Sequence, residues 1–182
     1  MINKINKLSQ SEFIKVFANI FENSAWIAEE LYEQKPFESF EKMSLKMLNI
    51  FETADKEKQL IILNAHPDLA NKTKISSLTI NSKKEQAGVG LDHCTEKEFE
   101  EFGKLNETYK KKFGFPFIYA VKNKSKEEIL SNFRQRVSYD ISVEFNEAIK
   151  QVKNIALIKG WEIVTRVTIE NNKFGLRVWR MT

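Results

Sequence analysis

The chain has 182 residues, enough for a sizeable core and for one domain rather than two. Its apolar content of 42% and charged content of 30% are those of a folded globular protein, and only six Gly and three Pro argue against a turn-rich all-β fold. A net charge of +4 spread over 29 basic and 25 acidic residues gives no basic face. A single cysteine, Cys94, excludes an intramolecular disulfide and, with two histidines, a zinc cluster.

From the N-terminus, Ser9 and Glu12 have capping-box spacing. Phe13, Val16, Phe17, Ile20 and Phe21 then fall at i, i+3, i+4, i+7 and i+8, one apolar stripe of a helix. Trp26, Ile27, Leu31 and Tyr32 predict a second helix after "ENS". Pro36 interrupts before a third in "FESFEKMSLKMLNIFETA". "DKEKQLIILNAH" predicts a fourth. It should stop near His66, because a proline disfavours helical geometry in the residue before it.

Residues 67–80 read as a polar loop, and Ser82 to about Gly90 as a short helix start. Thr95 and Glu98 open a helix carrying Phe99, Phe102, Leu105 and Tyr109, which should end at Gly114. "FPFIYAV" is compatible with a strand by composition, although its length cannot settle the matter. Ser125 and Glu128 start a last long helical stretch with Ile129, Phe133, Val137, Ile141, Phe145 and Ile149. The tail changes character. In "WEIVTRVTIENNKFGLRVWRMT" the β-branched residues alternate on either side of "NNKFG", which predicts a two-stranded hairpin. The expected division is therefore a helical domain over 1–159 and a distinct tail over 160–182.

Three stretches could carry chemistry. His66 can both take and give a proton near neutral pH, and a helix C-terminus favours its charged form. Alone, it reads more as a structural residue at a helix end than as an active-site group. In "SKKEQAGVG", Ser82 and Glu85 have the spacing of a cap. The same geometry offers free N–H groups to an anion and sets Glu85 as a base or as the orienter of one. Gln86 adds an amide there. "YKKKFGFPFIYAV" reads either as a helix end with a buried connector or as a pocket wall, with Phe115 and Phe117 as flat faces and the backbone of Phe117 to Val121 as hydrogen-bonding edge. His93 reads as a surface or capping residue. Cys94 has no evident base partner, so a nucleophilic role is not expected.

Taken together, "HPDLA", "SxxEQAGxG" 16 residues on from His to Ser, and "LNxxYxxKFGFPFIxAV" resemble the 2-oxo-4-hydroxy-4-carboxy-5-ureidoimidazoline (OHCU) decarboxylases of urate degradation. The resemblance runs from about Phe13 to Leu157 and includes "KPF" at 35–37 and "NIAL" at 154–157. It implies an all-α, single-domain multi-helix bundle, usually a homodimer. It also implies decarboxylation of a ureidoimidazoline to (S)-allantoin without a cofactor or metal. By position it assigns His66 and Glu85 as catalytic. It assigns Pro67, Ser82, Lys83, Lys84, Gln86, Phe117, Ile118, Tyr119, Ala120 and Val121 to substrate binding.

The sequence departs from the pattern where the family has an active-site arginine, a position that falls on Lys159 in "IALIKG". Lysine keeps the charge but lacks the bidentate fork that grips a carboxylate. Lys159 therefore reads as a substitute for that arginine, with Arg166 as a second candidate, or as a solvated surface lysine. An alternative to the enzyme is a catalytically impaired helical homologue that binds a ureide or a protein partner. No nucleic-acid partner is expected, because "YKKKF" and "VKNKSK" are short basic runs. No apolar run reaches the ~18 residues of a membrane span. "MINKINKLSQ" lacks the apolar core of a signal peptide, and "RMT" is not a peroxisomal address. Cytoplasm is the expected compartment.

Overall fold

The computed structural model describes residues 2–70 and 90–170, the side chains of Asp92 and of residues 166–170 excepted. All regular structure among the described residues is helical. The helices are α1 (Ile2–Asn6), α2 (Gln10–Phe17), α3 (Ala25–Tyr32), α4 (Phe40–Thr53), α5 (Lys56–Ala65), α6 (Glu96–Phe113), α7 (Lys126–Val137) and α8 (Ile141–Glu170), with one 3-10 turn at Leu91–His93. The loop expected over 67–80 and the helix start expected over 82–90 lie largely outside the described residues.

The starts follow local chemistry. Ser9, Thr95 and Ser125 each accept the backbone N–H three residues on, and Glu12, Glu98 and Glu128 return to the cap backbone. These boxes satisfy N–H groups that a helix start otherwise leaves without partners. At α6 the box is reinforced. Lys126 bonds the Glu98 carboxylate at 2.9 Å, and together with the Thr95 backbone it holds that carboxyl down at about 2. Gly114, at φ 80°, ends α6 in the left-handed conformation that glycine adopts without steric cost.

The described residues form two compact units, one from residues 2–62 with 153–170 and one from 63–70 with 90–152. In the first, Phe13 is fully buried, and its ring meets Phe17, Tyr32 and Phe37 at centroid distances of 4.6, 5.6 and 6.1 Å. Asn6, the last residue of α1, clasps Phe37. Its amide donates to the Phe37 carbonyl and its carbonyl accepts the Phe37 N–H, both at 2.8 Å.

In the second unit the core has a charged centre. Arg136 and Glu144 are 2% and 0% exposed. The Arg136 guanidinium donates to the Glu144 carboxylate through Nε, at 3.1 Å to both oxygens, and through Nη2. Nη1 donates to the Ile118 carbonyl at 2.8 Å. The Tyr109 hydroxyl donates to the same carboxylate. Burial first, and the neighbouring carboxylate second, push the Tyr109 phenol well above its ordinary range, so it stays a donor. Aromatic rings enclose the cluster. Phe117 stacks on Phe133 at 3.9 Å with an interplanar angle of 10°, and the guanidinium carbon lies 4.6 Å from the Phe117 centroid.

This cluster explains one departure from the sequence expectation. The single helical stretch predicted from Ser125 onward is two helices, parted at Ser138–Asp140. In one unbroken helix, residues 136 and 144 would stand ~12 Å apart along the axis. The break lets them meet.

A second departure is the tail. Residues 160–170 continue α8 as helix, where the sequence predicted the first strand of a hairpin. Val152, Ala156, Gly160 and Val164 recur every four residues and are all buried. That helical stripe overrides the two-residue alternation of Ile163, Thr165, Val167 and Ile169. Trp161 also packs edge-on against Phe40 at 4.6 Å. The rest of the predicted hairpin, 171–182, lies outside the described residues.

Two outcomes are expected from urea unfolding. Arg136→Ala should cost about 3–5 kcal/mol, because it strands a buried carboxylate, and Tyr109→Phe about 1–3 kcal/mol. Replacing both Arg136 and Glu144 by apolar residues should cost less than the two single changes added. Gly160→Ala should stabilise by up to about 1 kcal/mol through helix propensity, because a Cβ there would sit 3.5 Å from Phe40 Cζ and 3.8 Å from Ile20 Cδ1, ordinary contact distances. A lower midpoint for Gly160→Ala would show that the close approach of Phe40 leaves no room.

Candidate functional site

His66 directly follows α5. Pro67 ends the helix as the sequence predicts, and the His66 N–H closes the last turn on the Leu63 carbonyl at 3.2 Å. The imidazole is partly exposed, whereas the residues after Pro67 turn inward. Asp68, Leu69 and Ala70 are 7%, 8% and 3% exposed. Ala70 has φ 50°, a left-handed geometry that a side chain disfavours.

Helix α6 fastens this exit. Asn106 Nδ2 donates to the Leu69 carbonyl at 2.9 Å. Lys110, one turn further on, bonds the Asp68 carboxylate at 2.8 Å, with the Asp68 side chain 5% exposed.

The stretch 114–121 forms no regular element. Phe115 and Phe117 are each 1% exposed, and their rings belong to the aromatic core around Tyr109. Beyond the exposed Gly114, the accessible part is Tyr119 and Ala120, which are half-buried. The backbone is anchored at two points. Arg136 holds the Ile118 carbonyl, and the Ala120 N–H donates to Gln151 Oε1 at 3.0 Å. Gln151 is oriented in turn by donating to Glu147 at 2.6 Å. Val121 and Ile118 are buried.

Lys159 lies in the other unit. It is 7% exposed, and its ammonium bonds Glu22 Oε1 at 2.7 Å. It is therefore not a solvated surface lysine. Glu22 sits at a tight reversal between α2 and α3. Asn23 takes φ 51° there, and Ser24 Oγ donates to the Glu22 carbonyl at 3.0 Å. Arg166, the second candidate, is on the backbone of α8, and its side chain lies outside the described residues.

The structure thus brings His66, Pro67 and the Phe117–Val121 stretch into one unit. Ser82, Lys83, Lys84, Glu85 and Gln86 lie outside the described residues. His93 falls in the 3-10 turn and Cys94 caps its end. Among the described residues, no group of three or more His, Cys, Asp or Glu is placed to hold a metal ion, and no helix is long and apolar enough to cross a membrane.

Four residues escaped the sequence reading: Glu22, Asn106, Lys110 and Gln151. Asn106 carried a signal. It occupies the buried stripe Phe102, Asn106, Tyr109, Phe113, where a lone amide requires a partner. The Glu22 and Gln151 contacts span 137 and 31 residues, so no local pattern announces them.

Comparison with known proteins identifies the family and the fold. Residues 6–159 match the OHCU decarboxylase family. Over 158 residues the chain is 37% identical to the 2-oxo-4-hydroxy-4-carboxy-5-ureidoimidazoline decarboxylase of Haloferax volcanii, covering 87% of this chain and 92% of that one. Over 162 residues it is 38% identical to a uric acid degradation bifunctional protein of Bacillus sp. (strain TB-90), covering 89% of this chain but only 32% of that one. The crystal structure of an (S)-allantoin synthase superposes with a TM-score of 0.73 at 28% identity, over 90% of this chain and 54% of that one. An OHCU decarboxylase crystallised in the presence of (S)-allantoin shares the fold, with a TM-score of 0.65 at 19% identity, over 80% of this chain and 95% of that one. The chain therefore spans about a third of the bifunctional relative and about half of the synthase chain. With a match over residues 6–159 and a relative of similar length at 37% identity, the chain belongs to the OHCU decarboxylase family.

Proposed function

We propose that this chain decarboxylates 2-oxo-4-hydroxy-4-carboxy-5-ureidoimidazoline to (S)-allantoin in urate degradation. The observation that carries the proposal is the presentation of His66. A titratable imidazole stands partly exposed at a helix end, on an exit pinned by α6, in a chain that matches the family over 6–159.

The substrate chemistry suits such a site. Loss of carbon dioxide leaves a carbanion beside ring nitrogen and carbonyl groups that can delocalise the charge. The protein must then supply orientation, exclusion of water and a proton on one face. In this reading His66 engages the hydroxyl or carboxylate and helps deliver the proton, and Glu85 orients its imidazole. Pro67, Ser82, Lys83, Lys84, Gln86 and the Phe117–Val121 stretch receive the ring and the ureido arm. The anchored backbone at Ile118 and Ala120 supports that role, because a wall held from behind keeps its edge in place. A homodimer and a cytoplasmic setting belong to the same reading, and sedimentation at working concentration checks the first.

Lys159 is the point at which this chain differs. Its pairing with Glu22 supports a held, pre-aimed cation. It also favours the second reading, an impaired homologue, if Glu22 occupies the ammonium fully.

Two experiments separate these readings. With uricase and hydrolase generating substrate in place, His66→Ala and Glu85→Ala should each slow the appearance of optically active allantoin by about a hundredfold or more. Variants as fast as the parent protein would end the assignment, and a parent trace equal to the uncatalysed rate would establish the impaired homologue. Lys159→Ala should raise KM about tenfold or more, and Lys159→Arg should restore or improve it. An Ala variant that loses stability but keeps its KM would make Lys159 a structural partner of Glu22 alone.

A further inference from the structure

We propose that Asn106 and Lys110 of α6 are positioning residues for His66, acting through the Asp68–Leu69–Ala70 exit. Three observations converge on that exit. First, the chain leaves His66 through a proline and reaches a non-glycine residue at φ 50° only four residues later. A left-handed alanine persists where surrounding contacts over-determine the backbone. Second, those contacts are present and come from one helix face. Asn106 donates at 2.9 Å to the Leu69 carbonyl, in the peptide bond directly before Ala70. Lys110 bonds Asp68 at 2.8 Å. Residues at i and i+4 stand one above the other on a helix, so the two grips are applied side by side. Third, the contacts are costly to leave unmade. Asn106 is 4% exposed and its Oδ1 has no hydrogen-bond partner among the described residues, so the Leu69 carbonyl is the bond that this buried amide makes there. The Asp68 side chain is 5% exposed, too dry for its carboxylate to rely on water.

The same helix carries Tyr109, which bonds Glu144 in the charged core next to the Arg136 grip on Ile118. One face of α6 thus holds the imidazole's exit and is bonded into the cluster that holds the 117–121 wall. That gives "LNxxYK" a role distinct from touching substrate. It is a jig that keeps the histidine's backbone in register.

The inference rests on the reading of His66 as the proton-transfer group, and the test keeps the two apart. The chain has only two histidines, so the imidazole NMR signals of His66 and His93 provide a probe and an internal control. Lys110→Met and Asn106→Asp, the second nearly isosteric but without the donor, should each displace the His66 signal and leave that of His93. In samples shown to be folded by circular dichroism, kcat should fall about tenfold or more with KM nearly unchanged, because misplaced catalytic groups lose rate before binding. Lys110→Arg should restore both signal and rate. Lys104→Met, which removes an exposed lysine paired with Glu100 on the same helix, should change neither. An unmoved His66 signal in both folded variants overturns the positioning role. A His66→Ala protein as active as the parent instead overturns the assignment of His66, whatever the signals show.

Discussion

The buried pair of Arg136 and Glu144 is the interaction on which the second unit depends. Two charges removed from water must be fully satisfied or they cost several kcal/mol each. Here the Glu144 carboxylate accepts from Arg136 and Tyr109, and Arg136 Nη1 holds the Ile118 carbonyl. These bonds join α6, α7, α8 and the irregular stretch after Gly114. An apolar core would tolerate small shifts among these elements. A directional cluster with a bidentate fork does not.

The cluster also accounts for the way the stretch after Gly114 is held. Phe117 and Phe133 stack beneath the guanidinium, so the ring that the sequence offered as a pocket face is part of the floor instead. What remains at the half-buried edge is backbone and the Tyr119 side chain. Two of its backbone groups, the Ile118 carbonyl and the Ala120 N–H, are held in place by Arg136 and Gln151. The half-buried His66 follows the same logic. The imidazole stays accessible while the chain leaving it is bound from behind.

Lys159 shows how a nearly buried ammonium is held. Arginine at that position would offer five donors in a rigid fork, whereas lysine offers a compact charge that must be held to be aimed. Glu22 holds it, from a turn shaped by a left-handed asparagine and a serine cap. The charge balance is thereby altered as well, because a paired ammonium attracts a carboxylate less than a free one does.

The sequence by itself determined the helices α2 to α7, the capped starts of α2, α6 and α7, and where α5 and α6 end. Capping boxes, a proline and a left-handed glycine act within a few residues, so their effect is readable locally. It also determined the family resemblance, because "HPDLA", "EQAG" and "KFGFPFI" are ordered motifs. Even the charged core left a trace, since Arg136 and Asn106 sit on buried stripes where a polar residue demands a partner. The tertiary structure alone decided which partner each one found. Arg136 reaches Glu144 only because the chain breaks at Ser138–Asp140, and Lys159 meets Glu22 across 137 residues. The tertiary structure also decided the fate of residues 160–170. Their alternating pattern favours a strand when read alone, but burial of Ala156, Gly160 and Val164 on one helical stripe outweighs it. Helix propensities differ by tenths of a kcal/mol per residue among ordinary residues, and burying a side chain the size of Val164 contributes about 1.5–3 kcal/mol. Where the two disagree, packing wins.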